Sequence, residues 1–128
     1  MFHRFENGFR KLIAWQEAHA FTLMMYQATA SFPIEERYGI TSQLRRAASS
    51  IAAQIAEGSR MGTSAHRKSY YERAYASSAE VDNFLQLSHD LHYLSDDKYD
   101  SLLKKLNCVS FLAHKLSSSC ISHIKVPS

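Results

Sequence analysis

The sequence predicts an all-α fold, an up-and-down antiparallel four-helix bundle, on three observations. Glycine and proline are scarce, at four and two residues in 128, and Pro33 and Pro127 fall outside any long periodic segment. Apolar residues recur at three- and four-residue spacing in four successive stretches, the period of helices with a buried face. The intervals between stretches are short, which makes neighbours in sequence antiparallel neighbours in space. With 45% apolar and 21% charged residues the chain has the balance of one globular domain. It is long enough to bury a core without disulfides or metals.

The first helix is expected from about Arg10 to Ser31. Leu12, Trp15, His19, Leu23 and Tyr26 form one stripe, and Ala14, Ala18, Phe21, Met25 and Ala28 form a second beside it. Together they exceed what one packing seam needs. Phe32-Pro33 ends this helix, because a residue before proline avoids the helical region. The second helix is expected from about Thr41 to Gly58, with Ile40, Leu44, Ala47 or Ala48, Ile51 and Ile55 on its apolar face and Gly58 as a natural stop. Its run QLRRAASSIAAQIAEG carries little side-chain bulk, so a neighbouring backbone can approach it closely. The third helix begins near Ser64, a plausible N-cap, and continues to about Tyr93. Tyr71, Ala74, Ser78, Val81, Leu85 and Ser88 trace its inner face, flanked by Tyr70, Phe84 and Leu91. The fourth starts after Ser95 with Asp96 and Asp97 in its first turn, where carboxylates suit the helix dipole. Tyr99, Leu102, Leu106, Val109, Ala113, Leu116 and Cys120 continue the pattern. Residues 1–9 are expected as a flexible arm, 10–122 as the bundle and 123–128 as a tail.

Several function classes find no support. Cys108 and Cys120, on one helix, would lie about 18 Å apart, beyond disulfide reach. Without a disulfide framework, an apolar leader or a membrane-spanning stretch, a cytoplasmic protein away from membranes is expected. No phosphate-binding glycine loop or nucleophile elbow is present, so no enzyme activity is expected. His89 and His92 share one helical turn, but a tight metal site needs three or four ligands. No metal or other cofactor is expected. Glu57 beside Gly58 is a candidate buried acid, for which an arginine partner is the simpler explanation.

Charge is more telling in its distribution than in its total of +3. Glu35 to Arg73 holds seven basic and four acidic residues, Ala74 to Leu103 six acids and one lysine, and the remainder four lysines and no acid. Such segregation can build a positive face. Arg45 and Arg46 are about 100° apart on a helix, so they cannot both enter the core. They either lock the packing, through Glu57 of a neighbouring copy or Glu80 across the bundle, or reach for phosphate, whose oxygens fit a guanidinium fork. Arg37, Arg60, Arg67, Lys68 and Arg73 would extend a phosphate-binding patch. Tyr70, Tyr71 and Tyr75 lie near it and serve either as base-stacking rings or as core.

The blocks LIAWQEAH (12–19), Tyr26, Phe32-Pro33, Glu36, Tyr38-Gly39, QLRRAASSI and IAEG, in this order, resemble the 23S rRNA intervening-sequence family of four-helix-bundle proteins. That family usually has proline and asparagine where this chain has Ala52 and Gln54. It usually has Gly-Ser and Glu-Leu-Glu where this chain has Ala76-Ser77 and Glu80-Val81-Asp82. Its fold is similar to that of the accessory variability protein of diversity-generating retroelements, a pentameric barrel that works with a reverse transcriptase and its RNA. The resemblance implies a ring-like homo-oligomer, a pentamer, with RNA or DNA as partner, or alternatively a scaffold for a nucleic-acid enzyme. Trp15, Tyr26, Ala48, Ala52, Glu57 and Glu80 are the candidates for packing between helices or copies.

Overall fold

The computed structural model describes residues 8–124, and no strand occurs among them. Four α-helices follow in order: α1 (Ile13–Thr29), α2 (Ile40–Ser59), α3 (Ser64–Asp90) and α4 (Asp96–Ile124). The expected arm lies outside the described residues except for Gly8 and Phe9. The expected tail lies outside them except for positions 123–124, whose backbone continues α4.

Cross-helix contacts establish the direction of each helix. Thr22 donates to the Ala48 carbonyl, while Arg45, earlier on α2, reaches Thr29, later on α1. Ser50 bonds Ser77, and Gly58 meets Tyr70 and Tyr71. Ser78 bonds Ser110, and His89 bonds Asp96. In each pair rising numbers on one helix meet falling numbers on the next. The α1–α4 contact closes the bundle, with Glu17 on Lys105 at 2.7 Å. This is an up-and-down bundle.

The core is a single cluster drawn from all four helices. Phe21 and Met25 of α1, Leu44, Ile51 and Ile55 of α2, Val81 and Leu85 of α3, and Leu102, Leu106 and Val109 of α4 are its largest buried side chains. The inner faces read for α2 and α3 are those the structure buries. On α1 the stripe Ala14, Ala18, Phe21, Met25 and Ala28 is buried, whereas His19, Leu23 and Tyr26 are exposed and Leu12 and Trp15 are half-buried. Small residues decide this choice. Ala18 and Ala48 let α1 and α2 approach until the Thr22 hydroxyl reaches the Ala48 carbonyl at 3.2 Å.

Boundaries differ from expectation in four places. Phe9–Lys11 forms a separate 3₁₀ turn, because Leu12 is extended before α1 begins. Thr63 caps α3 by accepting from the His66 N–H, so Ser64 is the first helical residue and no cap. Gly58 lies inside α2 and does not end it. An added Cβ there would stand 2.8 Å from Tyr71 Cε1 and 2.9 Å from Tyr70 Cβ. Its missing side chain serves a close crossing with α3.

The fourth difference is the end of α3, at Asp90 rather than Tyr93. Tyr93 N–H reaches back to the Ser88 carbonyl and His92 N–H to that of His89, a Schellman closure with His92 at φ 65°. That left-handed position favours glycine. His92→Gly is expected to raise stability by about 1 kcal/mol, checked by chemical denaturation.

Tyr71 is buried against this crossing. Burial first, then the Cys120 sulfur, pushes its phenol above the ordinary 10.0, with Arg67 pulling the other way. Stability carried by the neutral phenol is fully present below pH 10.0 and is lost as pH rises through the higher folded value. Denaturation profiles across the alkaline range are therefore expected to fall more steeply for the native chain than for Tyr71→Phe.

Candidate nucleic-acid interface

The basic residues from Arg37 to Arg73 do not form the single patch expected. Along α2, Arg46 and Arg60 are separated by about 21 Å. One cluster, Arg37, Arg45 and Arg46, sits at the end of the bundle where α1 turns into α2. The other, Arg60, Arg67 and Lys68, sits at the turn from α2 to α3. Arg73 lies along α3, its guanidinium 4.6 Å from the Tyr70 ring centroid.

The second cluster is mostly engaged with its own surroundings. Arg67 donates to the Met61 carbonyl at 3.0 Å and to the Ser64 hydroxyl at 3.1 Å, bracing the loop that leads into α3. Lys68 pairs with Glu72 one turn later at 2.5 Å. Arg60 is exposed at the C-cap of α2.

The first cluster surrounds an open basin of about 430 Å³ lined by Tyr26, Arg37, Thr41, Ser42, Arg45 and Arg46. A smaller adjoining cleft shares Arg37, Thr41 and Arg45. Its geometry starts with a connector. Pro33 opens a 3₁₀ turn, Ile34–Glu36, that swings the chain from α1 to α2. Glu36 then fixes both sides: its Oε1 accepts the Ile40 N–H at 3.2 Å and its Oε2 accepts the Tyr93 hydroxyl at 2.9 Å. That bond is the main reason the Tyr93 phenol is held above its ordinary range. Both carboxylate oxygens of Glu36 are thereby engaged, and the residue is not part of the basin's lining.

Arg45 is positioned by α1. Its Nε donates to the Thr29 hydroxyl at 2.8 Å, a second nitrogen to the Tyr26 carbonyl at 3.3 Å, and its plane lies 4.6 Å from the Tyr26 ring centroid. Thr29 is buried and donates in turn to the Met25 carbonyl, which orients its oxygen toward Arg45. Arg46 is exposed and bonds Gln43 on its own helix. Neither arginine uses the Glu80 partner considered from sequence. Among the described residues none of Arg37, Arg45 and Arg46 forms an ion pair, and no carboxylate lines the basin. Three guanidiniums gathered without a counter-ion have the chemistry to hold an anion.

The remaining candidates fall elsewhere. Ala48 and Ala52 are buried within the bundle. Trp15 stacks on His19 at 4.7 Å and meets the tilted ring of Phe9 at 5.1 Å. Glu57 and Glu80 are exposed. Tyr71 belongs to the core, while Tyr75 is exposed beside His114. Gln54 holds a buried side-chain oxygen with no hydrogen-bond partner among the described residues. His89 lies between Tyr99, stacked at 4.3 Å, and Asp96, bonded at 2.7 Å. No group of three potential ligands that could hold a metal ion occurs among the described residues. Among those residues, no helix is long and apolar enough to cross a membrane.

Sequence reasoning missed the roles of Thr29 and Glu36. Both act across a tertiary contact, Arg45 with Thr29 and Tyr93 with Glu36, that no local pattern announces.

Comparison with curated proteins gives no match. Among solved structures, the chain is similar to a protein of unknown function from the S23 ribosomal protein family of Bacteroides thetaiotaomicron. The TM-score is 0.64 at 18% identity, over 89% of this chain and all of that one, which is a likeness of fold. A sequence model of the 23S rRNA-intervening sequence protein matches residues 10–115, spanning all of α1, α2 and α3 and most of α4. The chain therefore belongs to the 23S rRNA-intervening sequence protein family.

Proposed function

We propose that this protein is a non-enzymatic, cytoplasmic, oligomeric four-helix bundle that binds structured nucleic acid, its phosphates seated in the Arg37–Arg45–Arg46 basin. The observation that carries the reading is the gathering of three guanidiniums around a concave surface lined by no carboxylate. Arg45 is held in advance by Thr29 and Tyr26, so little side-chain freedom is lost when an anion arrives. In a ring, five copies by family resemblance, the basin would be repeated around an axis and weak contacts would add. The exposed apolar side chain of Leu23 on α1, 54% exposed and outside the basin's lining, supports such assembly. Native mass spectrometry at micromolar concentration is expected to give more than one chain per particle, and a monomer would refute the ring.

Binding of the purified protein to labelled structured RNA and duplex DNA across a salt series tests the central claim. Affinity is expected to fall steeply as salt rises, the signature of phosphate contacts. No binding of either polymer at low salt would overturn it.

A second reading is a protein-binding scaffold serving a reverse transcriptase or another nucleic-acid enzyme. It is favoured by an apolar groove of about 250 Å³ between the start of α1 and the end of α4, lined by Leu12, Ile13, Ala14, Leu112 and Leu116. A pull-down that recovers nucleic acid and never a protein would count against it.

A further inference from the structure

The basin has aromatic neighbours that phosphate binding alone does not require. Tyr38 follows Arg37 directly and is 86% exposed, with the Arg37 guanidinium 6.0 Å from its ring centroid. A ring so exposed contributes almost nothing to the core. Tyr26, on the basin's lining, carries Arg45 against its face.

Guanidiniums suffice to hold the backbone of a duplex, whose bases keep their faces stacked on one another. A free π-face belongs to an unpaired nucleotide, and proteins that hold unpaired strands pair a basic groove with aromatic rings. Arg37, on the basin's lining, thus joins a phosphate seat to the exposed Tyr38 ring, which stands just outside that lining. We infer that the basin takes an unpaired nucleotide, its phosphate among Arg37, Arg45 and Arg46 and its base stacked on Tyr38. The inference rests on the reading of the basin as a phosphate site and names the class of strand that site selects. In structured nucleic acid the ligand is then a loop, bulge or end.

Three labelled probes test it, each in RNA and DNA form: a short unstructured strand, the same strand with abasic positions, and a fully paired, blunt-ended duplex of two annealed strands. Fluorescence anisotropy is read for the full chain and for Tyr38→Ala and Tyr38→Phe. Tyr38→Ala is expected to weaken binding of the unstructured strand about tenfold or more, the size of one base–aromatic stack. It should leave the abasic and duplex probes within about twofold of the native chain, and Tyr38→Phe should retain native affinity. The melting temperature of both variants should match the native chain, since the ring is scarcely buried. Equal losses on all three probes, or no loss on the unstructured strand, would overturn the inference. If the native chain binds the duplex while Tyr38→Ala changes nothing, the stacking site falls and the phosphate basin stands. If the native chain binds no probe at low salt, both fall.

Discussion

Gly58→Val is expected to lower stability by about 3 kcal/mol and the melting temperature by about 10 °C. The first added carbon would already stand 2.8 Å from Tyr71 and 2.9 Å from Tyr70, both on α3. The Tyr70 contact is with Cβ, which cannot move without its backbone. Tyr71 is buried and cannot swing away either. Helices α2 and α3 would have to separate, which loosens the core around Ile55 and Ala74. Gly58→Ala should do less harm, because alanine gains about 1 kcal/mol of helix propensity over glycine, which offsets part of the overlap. Urea titration of both variants checks the order. A valine variant as stable as the native chain would show that the close crossing is not needed.

Replacing Arg37, Arg45 and Arg46 together by alanine is expected to flatten the salt dependence of single-strand binding by about 2, the sum of three phosphate contacts at about 0.7 each. Affinity at moderate salt should fall by about a hundredfold or more, since each contact is worth on the order of 1 kcal/mol or above. Arg45 also braces α1 through Thr29 and Tyr26, so its loss acts on the fold as well. The pair Arg37→Ala and Arg46→Ala leaves that brace intact and should still flatten the slope by about 1.4. Arg60→Ala with Lys68→Ala, at the far end of the bundle, is the control and should leave the slope near native. If the far-end pair caused the larger drop, the basin would not be the site.

The helices and inner faces were legible because burial repeats with the helical period, and tertiary packing had little to override on α2, α3 and α4. On α1 two apolar stripes competed. The winner was the one rich in alanine, since close approach to Ala48 outweighed the larger area of Trp15, Leu23 and Tyr26. Gly58 was legible as a special position, but its reason was not: a helix stop and a helix crossing both call for glycine. The end of α3 gave no signal, because a histidine occupies the left-handed position. The basin was half legible. Arg37, Arg45 and Arg46 were visible as cations, but so were Arg67 and Lys68. Only the fold separates them, by gathering the first three around one basin with no carboxylate in its lining while pairing Lys68 with Glu72 and turning Arg67 onto the loop before α3.

The order of the helices also has a kinetic side. Among the described residues, three of the four main helix interfaces join helices adjacent in the chain, and the fourth, α1 with α4, joins its two ends. Adjacent hairpins close short loops at small entropic cost, so they are expected to form early and the α1–α4 seam to complete folding. In hydrogen exchange, α1, the least packed of the four helices, is the one expected to open ahead of the global transition, by parting from α4 at Glu17–Lys105 and from α2 at Thr22–Ala48. Thr29 and the Tyr26 carbonyl leave with it, and Arg45 loses the partners that aim it. A partial opening that spares α2, α3 and α4 would therefore disarm the basin while most of the protein stayed folded.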